Sequence, residues 1–267
     1  MKQNYCKVIL LLIILFSIPI TGCENIAKPE KQNIRNELCY QSYCPIGAPK
    51  NNFLVDHKIY ILSSNRKTKF ADWVAYKVDK ANLNGPSRKR IWKKDPNIPA
   101  AYTLSPQDYE GAHAACNVDR GHQAPLASFS NNPNWENTNY LSNITPQKSM
   151  LNQGPWVRLE SAVRRLAEKN KGLYVVTGPI YDTKEKICSL PAEPLIEIPS
   201  AYFKVIFQLD NNITHYAAFI MPQKTTRKTN MCKYVVNLQT IRDKTGLHFL
   251  KNESTNKDES LVKKLGC

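Results

Sequence analysis

Two short segments of the chain carry residue types that together could hydrolyse a phosphodiester bond. The first is Asp119–His122, with the sequence Asp-Arg-Gly-His, and the second begins at Asn152 and reaches Glu160. An arginine can hold a phosphate, and a histidine can take a proton from water. An amide oxygen and a carboxylate can organise a hydrated Mg²⁺, so this set of residues predicts metal-assisted hydrolysis.

The alternation of side chains along an extended segment predicts which members of the first motif face a substrate. Arg120 and His122 share one face, whereas Asp119 points to the other and is expected to bind a structural partner. Gly121 would let backbone or phosphate approach closely. His122 is the candidate general base, because an imidazole with an ordinary pKa of about 6.5 is largely neutral at about pH 7–8. A lone histidine on a strand is more often structural, so this pattern alone leaves both roles open.

The second segment is predicted to be a helix with its polar residues on one slowly drifting face. Asn152, Trp156, Glu160 and Arg164 recur every four residues. The predicted buried stripe beside them consists of Trp156, Leu159, Val163 and Leu166. Asn152 could instead cap the helix, and Glu160 could simply pair with Arg164 at the surface. Spacing alone does not separate these structural roles from a metal site.

Proline, glycine and apolar runs predict the elements that position these residues. Pro155 is tolerated only in a first turn, so the helix should begin near Gln153 or Gly154 and end at Lys171-Gly172. The predicted strands are Phe70–Val78, Val118–His122, Tyr140–Ile144 closed by Pro146, Leu173–Thr177 stopped by Gly178-Pro179, and the hairpin Ala201–Leu209 with Ile213–Met221. A short helix is predicted at Leu238–Lys244, ending at Gly246. Asp79–Pro106 is predicted to be a basic loop that carries Arg88, Arg90 and Trp92. Strands and helices mixed without βαβ alternation predict an α+β fold with a mostly antiparallel sheet.

The first 22 residues have the features of an export signal. Lys2 and Lys7 give a positive start, and Val8–Ile20 is an apolar run of thirteen residues. That run is shorter than the roughly 20 residues that a membrane-spanning helix needs. The run Ile20-Thr21-Gly22-Cys23 resembles a bacterial lipobox, which predicts lipidation of Cys23; ordinary cleavage near Gly22 is the alternative.

The remaining chain then divides into a flexible tether, residues 23–38, and one domain, residues 39–267. The polar tether has no reason to fold alone. We expect an extracytoplasmic protein, anchored to the membrane in the periplasm or at the cell surface if it is lipidated and otherwise secreted.

The charge of the chain predicts a polyanionic partner. The full sequence carries a net charge of +15, and removal of the signal with Lys2 and Lys7 leaves +13. An excess of this size suits nucleic acid or an anionic envelope surface, and charge alone does not separate the two.

Cysteine usage indicates disulfides. Once Cys6 and Cys23 are set aside, six thiols remain in an exported chain, a number that permits several pairings. These are Cys39, Cys44, Cys116, Cys188, Cys232 and Cys267. A zinc site is the competing interpretation, but the sequence has no Cys-x-x-Cys pair and no His-Glu-x-x-His motif.

Beyond single motifs, the chain resembles the sugar-non-specific DNA/RNA endonucleases of the ββα-metal class. The resemblance runs from about Cys39 to Cys267 and includes the segments Asp119–Ser128, Asn139–Ser149, Val176–Pro179 and His215–Phe219. It implies a catalytic helix packed beside a mostly antiparallel sheet. It also implies hydrolysis of DNA and RNA, single- and double-stranded, to 5′-phosphate products without strong sequence preference.

The resemblance also assigns roles to individual residues. His122 corresponds to the general base, Asn152 to the direct ligand of Mg²⁺, and Glu160 to a residue that binds the metal's waters. Mn²⁺ is a possible substitute for Mg²⁺. Arg90 and Arg164 correspond to positions that stabilise the charge developing on phosphorus. Arg120 is expected to hold phosphate, whereas Arg88 and Lys89 have no such match and are expected on the solvated surface. The disulfides that the resemblance implies are Cys39–Cys44 and Cys232–Cys267; Cys116 and Cys188 are additional and could pair or stay free.

Three other functions fit parts of the sequence. A nucleic-acid-binding envelope protein without catalysis, or a protein that holds anionic glycans, would not need His122, Asn152 and Glu160 together. A phosphodiesterase for small nucleotides or lipids would not need the basic loop around Arg90 or the net charge of +13. The nuclease accounts for both features.

Overall fold

The computed structural model describes residues 38–39, 44–170, 172–182, 188–192, 195–211, 213–250 and 259–267. The predicted signal, the lipidation site Cys23 and the tether up to residue 37 lie outside these residues. Across the described ranges, no helix combines the length and the apolar character needed to cross a membrane.

Seven antiparallel strands form the main sheet, in the order β1-β2-β3-β6-β9-β10-β11. Their bounds are β1 Phe53–Asp56, β2 Ile61–Ser64, β3 Ala71–Val78, β6 Leu173–Ile180, β9 Ala201–Asp210, β10 Ile213–Pro222 and β11 Val235–Val236. Two small antiparallel sheets pair β4 Val118–His122 with β5 Ile144–Lys148, and β7 Ser189–Leu190 with β8 Ile196–Glu197. The helices are α1 Ala112–Cys116, α2 Ser149–Leu151, α3 Val157–Ala167, α4 Leu238–Thr245 and α5 Glu259–Lys264. The predicted α+β architecture is confirmed.

The main sheet is buried on both faces. Along β9, Tyr202 and Ile206 point to the core that contains the apolar side of α3, whereas Phe203 and Phe207 point to the core beneath α4. The predicted stripe of α3 is confirmed, because Leu159, Val163 and Leu166 are buried in the first core together with Trp156. Lys204 lies on the same face of β9 as Tyr202 and is therefore buried under α3.

Two strands differ from their predicted bounds because proline stands inside them. The segment predicted as the strand Tyr140–Ile144 is mostly a 3₁₀ turn, and β5 begins at Ile144 and continues through Pro146. Among the strands that the structure describes, β5 pairs only with β4, so its other edge can hold a proline, which has no N–H to donate. β6 likewise continues through Gly178-Pro179, which lies beyond Thr177, the last residue that pairs with β3. A Cβ on Gly178 would lie 2.2 Å from the Asp72 carbonyl oxygen, so tight packing requires this glycine.

The helical segment that carries the second motif is divided by a kink at Gly154, the position near which the sequence predicts the helix to begin. α2 precedes the kink and α3 follows it, and we call residues 149–167 together the site helix. Gly154 has the non-helical angles φ −114° and ψ −118°, which place Pro155 at the start of a fresh helical segment. The helical part ends at Ala167; Lys171, predicted to end it, lies outside the described residues.

The basic loop between β3 and α1 contains only short 3₁₀ turns, and contacts with the interior and with the segment before β5 fix its position. His57 Nε2 lies 2.7 Å from Asp95 Oδ2 in the interior. Lys93 also exchanges backbone hydrogen bonds with the segment before β5, accepting from Leu141 over 2.9 Å. These contacts fix the stretch that carries Arg90 and Trp92.

All three disulfides are formed. Cys39–Cys44 and Cys232–Cys267 are the two pairs that the resemblance implied, and Cys116–Cys188 resolves the pairing left open. A protein with three disulfides belongs to an extracytoplasmic compartment.

Candidate active site

A cavity of about 680 Å³ lies between the end of β4, the site helix and the basic loop. All six predicted site residues line it: Arg90, Arg120, His122, Asn152, Glu160 and Arg164. They come from segments more than seventy residues apart in sequence. β4 pairs with β5, and the site helix follows β5 directly. The end of β4 and the N-terminal part of the site helix therefore lie next to each other.

His122, at the end of β4, faces the cavity beside Trp92, whose ring centroid is 5.3 Å from that of the imidazole. Burial, and then the positive charge of Arg90, lower the pKa of His122 to about 4, with a smaller opposing effect from Asn139. Its Nε2 atom is buried without a hydrogen-bond partner among the described residues. The imidazole is therefore neutral at physiological pH and can accept a proton.

Asp119 corrects one sequence-based expectation, because it lines the same cavity as Arg120 and His122. Its Oδ2 accepts hydrogen bonds from Asn152 Nδ2 over 2.9 Å and from Gln153 Nε2 over 2.8 Å, and its Oδ1 accepts one from Ser149 Oγ over 2.7 Å. The site helix packs against the face of β4 that carries Asp119, so this side chain points away from Arg120 and still lines the cavity. Burial raises the pKa of Asp119, but the bonds from Asn152, Ser149 and Gln153 outweigh this effect and keep the pKa below its ordinary value.

The contacts of Asn152 exclude a capping role. Its backbone is helical, with φ −57° and ψ −52°, whereas a capping residue is extended and accepts a hydrogen bond from a backbone N–H; the Asn152 side chain instead donates to Asp119. Because the N–H end of the amide is held, the carbonyl oxygen is the end available to a metal ion.

Gly121 is required for a different reason from the one expected. A Cβ at this position would lie 2.6 Å from Gln147 Oε1 on the paired strand β5. The glycine therefore admits a protein side chain rather than a phosphate.

Glu160 and the arginine one turn later do not form a simple surface pair. No Glu160–Arg164 ion pair within 4.0 Å occurs in the part of the chain that the structure describes. Arg164 Nη2 donates instead to Ser161 Oγ over 2.9 Å, and its Nη1 is buried without a protein partner among those residues. Burial raises the pKa of Glu160 above its ordinary value, although the charges of Lys204 and Arg164 oppose the shift.

Arg120 and Arg90 supply the other two cations. Arg120 is stacked near Tyr109 and Trp92, with its guanidinium carbon 5.2 Å and 5.8 Å from the two ring centroids. Its Nη2 donates to the Pro106 carbonyl over 3.3 Å, and its Nε is buried without a partner within the described chain. Arg90 is exposed on the basic loop and lies close enough to His122 to lower its pKa.

The donors around the cavity fit a hard cation such as Mg²⁺. Mg²⁺ is usually bound through one or two protein oxygens and keeps several waters. Asn152 offers a neutral amide oxygen, and the carboxylates of Asp119 and Glu160 line the same cavity. Groups of three His, Cys, Asp or Glu side chains that could hold a metal are absent from the described residues, so a fully protein-bound zinc does not fit them.

Three neighbours of the site were not identified as such from the sequence. Trp92 was noted only as part of the basic loop, His113 lines the cavity from α1, and Lys204 lies buried beneath it. Trp92 and Lys204 come from segments distant from the two motifs, whereas His113 stands six residues before Asp119, with its Nδ1 3.6 Å from Asp119 Oδ1. Arg88 is also not simply solvated: its Nε donates to the Ser130 carbonyl over 2.9 Å, and its guanidinium lies 4.9 Å from the Trp135 ring centroid. Lys89 is exposed, as expected.

Comparison with known proteins identifies this combination of fold and site. The profile of the family described as DNA/RNA non-specific endonuclease matches residues 44–256. The nuclease of Serratia marcescens is 47% identical over 209 residues, which cover 76% of this chain and 77% of that protein. Nuclease C1 of Cunninghamella echinulata var. echinulata is 30% identical over 210 residues, which cover 73% and 81%.

The fold is similar to that of a solved nuclease. A chain of the crystal structure of the EndoG/EndoGI complex superposes with a TM-score of 0.66 at 25% identity, covering 75% of this chain and 86% of that one. This match confirms the predicted ββα-metal nuclease fold. The chain therefore belongs to the DNA/RNA non-specific endonuclease family and is an enzyme that hydrolyses nucleic acid.

Proposed function

We propose that this protein is a Mg²⁺-dependent endonuclease that cuts single- and double-stranded DNA and RNA and leaves 5′-phosphate ends. The observation that carries the proposal is the convergence on one cavity of a neutral imidazole, an amide with two carboxylates, and three arginines. Phosphodiester hydrolysis needs a base for water, a metal ligand and cations for the phosphate, and this set supplies all of them.

His122 is the proposed general base. Its neutral imidazole takes a proton from a water molecule in the cavity as the water oxygen forms a bond to phosphorus. The bond between phosphorus and the 3′ oxygen breaks on the opposite side, and the leaving oxygen takes a proton from water. The phosphate then remains on the 5′ carbon of the next nucleotide.

Asn152 is the proposed direct ligand of the metal, and Glu160 is proposed to hold the metal's waters. When bound, Mg²⁺, or Mn²⁺ in its place, would act as a Lewis acid on the phosphate. Asp119 orients the Asn152 amide through its N–H end. Burial raises the pKa of Glu160, and the charges of Lys204 and Arg164 oppose that shift, which favours the carboxylate form that accepts hydrogen bonds from water.

Arg90, Arg120 and Arg164 are proposed to bind the phosphate and its developing charge. Both Arg120 and Arg164 line the cavity, where their guanidinium groups would donate to phosphate oxygens. Contacts to phosphate carry no sequence information, so cleavage without strong base preference follows.

We also propose that the enzyme is anchored to the membrane by lipid on Cys23. Support comes from the short apolar run Val8–Ile20 followed by Ile20-Thr21-Gly22-Cys23 in the sequence. A lipidated terminus followed by a tether would keep the catalytic domain at the cell while leaving it free to meet substrate. Intact-mass measurement of the native protein tests this: a chain that starts at Cys23 and carries acyl groups supports it, and an unmodified terminus elsewhere refutes it.

The nuclease proposal is tested by digestion of supercoiled plasmid and of RNA with the purified protein. We expect both to be cut with Mg²⁺ or Mn²⁺ present, EDTA to abolish cutting, and added metal to restore it. End-labelling before and after phosphatase treatment should locate the phosphate on the 5′ end. Undiminished activity in EDTA would exclude the metal mechanism, and nucleic-acid binding without cleavage would favour a catalytically inactive envelope protein.

A further inference from the structure

A second groove lies along the site helix, beside the catalytic cavity. It has a volume of about 540 Å³ and runs between α3 and the segment that follows β10, with the C-terminus at one end. Val157, Ser161 and Arg165 line it from α3 at a spacing of four residues, and Lys228 lines it from the opposite wall. We call it the α3 groove.

The charge of the α3 groove is entirely positive. Arg158, Arg165 and Lys228 line it and are exposed, and no Asp or Glu is among its described lining residues. Arg158 Nη2 donates to the Thr229 carbonyl over 2.6 Å, which ties the two walls together. A concave surface lined by three cationic side chains and no acidic one attracts an extended anion.

The α3 groove is continuous with the catalytic cavity. Val157 lines both. Ser161, in the groove, accepts the hydrogen bond from Arg164, which lines the cavity. A chain bound across Val157 could therefore contact both sites at once.

The wall of the α3 groove that carries Lys228 also contacts residues of the catalytic site. Arg227 Nη2 donates to Gln153 Oε1 over 2.8 Å, and Gln153 in turn donates to Asp119. A Cβ on Gly154 would lie 2.8 Å from the Arg227 Cα atom, so this wall packs directly on the kink of the site helix. The C-terminal end, including Gly266, is fixed by the disulfide Cys232–Cys267. The groove is therefore preformed.

We propose that the α3 groove binds the sugar–phosphate backbone of the substrate strand to one side of the bond that is cut. This inference rests on the proposed nuclease function and adds to it a binding site for neighbouring phosphates. Cations at Arg165 and Lys228 would neutralise these phosphates and release their counterions, which strengthens binding without reading bases. A polymer would use the groove, and a substrate with a single nucleoside would not reach it.

The test compares a long and a minimal substrate in the double variant Arg165→Ala/Lys228→Ala. The long substrate is a single-stranded 20-mer, and the minimal one is thymidine 3′,5′-bis(4-nitrophenyl phosphate). We expect the KM for the 20-mer to rise about tenfold with kcat kept, and kcat/KM for the minimal substrate to stay within about twofold of wild type. The plot of log K against log salt for 20-mer binding should become shallower by about 1.4, since each single-strand phosphate contact contributes about 0.7.

The matched control is Lys50→Ala/Lys244→Ala. It removes the same charge from exposed residues, and Lys244 lies on α4, whose apolar side packs on the opposite face of the main sheet. The control should leave KM for the 20-mer and the salt slope nearly unchanged. The single variants Arg165→Gln and Lys228→Gln should each give about half of the slope change.

Equal effects of the groove variant and its control would overturn the inference, as would an equal loss on both substrates. Failure of the wild-type enzyme to cut either substrate would instead refute the proposed function, so the two failures can be distinguished. Thermal unfolding of each variant verifies that it is folded before its KM is compared.

Discussion

Asn152 donates its side-chain amide to Asp119 Oδ2 over 2.9 Å, which joins the proposed metal ligand to the Asp-Arg-Gly-His motif. The bond holds the N–H end of the amide and leaves the carbonyl oxygen for a metal ion. Groups that orient a metal ligand typically contribute 10–100-fold to metal affinity, roughly. The first residue of the motif thus supports the ligand rather than a remote part of the fold.

The variant Asp119→Ala should therefore need about 10–100-fold more Mg²⁺ for half-maximal activity. The expected cause is a freely rotating Asn152 amide, and the measurement is a Mg²⁺ titration of plasmid cleavage. Asp210→Ala, at the exposed end of β9, is the matched control and should need the wild-type concentration. An unchanged Mg²⁺ requirement in Asp119→Ala would contradict the orienting role.

The variant Asn152→Ala should be affected more severely than Asp119→Ala. It removes the proposed ligand itself, so activity should fall strongly and the residual rate should need still more Mg²⁺. A Mg²⁺ titration identical to that of Asp119→Ala would show that the amide oxygen is not the ligand.

The variant His122→Ala should lower kcat by at least about 10²-fold, the lower end of what loss of a general base costs. Binding of a 20-mer, measured by fluorescence anisotropy, should stay close to wild type because the arginines are intact. Near wild-type turnover would rule out the general-base assignment.

The pH profile should reflect the low pKa of His122. Burial and Arg90 lower this pKa to about 4, so kcat/KM should fall on the acid side only near pH 4. The variant Arg90→Gln removes a positive charge, which raises the pKa of His122 and moves the acid limb to higher pH. Its rate should fall on DNA and RNA alike with no change in sequence preference. An acid limb near the ordinary value of about 6.5 in the wild type would contradict the assignment.

The same pKa has a consequence for stability. Because the folded pKa of His122 is below its ordinary value, the unfolded chain binds the proton more tightly. The contribution of His122 to the free energy of unfolding is therefore present above about pH 6.5 and is lost progressively as the pH falls toward 4. Urea unfolding of wild type and His122→Ala across this range should show a smaller pH dependence in the variant.

Local patterns in the sequence predicted the elements that are defined by their own residues. Strand Val118–His122 and the hairpin of β9 and β10 follow from apolar runs and turn residues, and both are confirmed. The strand that contains Pro146 was predicted to lie before the proline, at Tyr140–Ile144, and the strand that contains Pro179 was predicted too short, because whether a strand tolerates proline depends on which of its edges is paired. That information lies in the sheet and not in the strand.

The candidate site was predicted as a set of residues, and its arrangement was only partly predicted. The period of an extended strand placed Asp119 away from the site, and the period was right. Strand periodicity gives no information about the site helix, whose Ser149 and Asn152 contact Asp119 on the second face of β4. Lys204 was missed for a related reason: a lysine in a strand is read as exposed until the strands and helix on both sides are known.

The disulfide Cys116–Cys188 allows a stability prediction. It joins α1, directly before β4, to the residue before β7, with a sequence separation of 72. Its replacement by Cys116→Ser/Cys188→Ser should lower the free energy of unfolding by about 2–4 kcal/mol, measured by urea denaturation. The variant Cys39→Ser/Cys44→Ser opens a loop with a separation of only 5 and should lose about 2 kcal/mol less. Equal losses would show that loop closure in the unfolded chain is not the main cause.

Lys204 is a fully buried cation beneath the catalytic cavity. Its Nζ donates to the Tyr76 hydroxyl over 3.3 Å and lies 4.6 Å from the Trp156 ring centroid. Burial lowers its pKa to about 8, and the negative charge of Glu160 opposes that shift. At neutral pH the enzyme therefore keeps a desolvated positive charge close to Glu160.

The variant Lys204→Met should separate stability from activity. Because the lowered pKa of Lys204 means that its charged form is disfavoured in the folded chain, a neutral side chain of similar length should raise the free energy of unfolding at pH 7 by about 1–3 kcal/mol. Activity should fall at the same time, because Glu160 loses a cation that favours its ionised form and is left with a higher pKa. The loss should be smaller at higher pH, where Glu160 ionises again.

The pH dependence of unfolding distinguishes this explanation from altered packing. Since the folded pKa of Lys204 is lowered, the wild type gains stability as the pH rises from about 8 toward 10.5, and Lys204→Met lacks this gain. The stability difference between the two proteins should therefore shrink over that range, as urea unfolding would measure. Lys244→Met, at an exposed position of α4, should follow the wild type throughout. If Lys204→Met were less stable than wild type and fully active at pH 7, Lys204 would stabilise the packing of the core and would not be needed to keep Glu160 ionised.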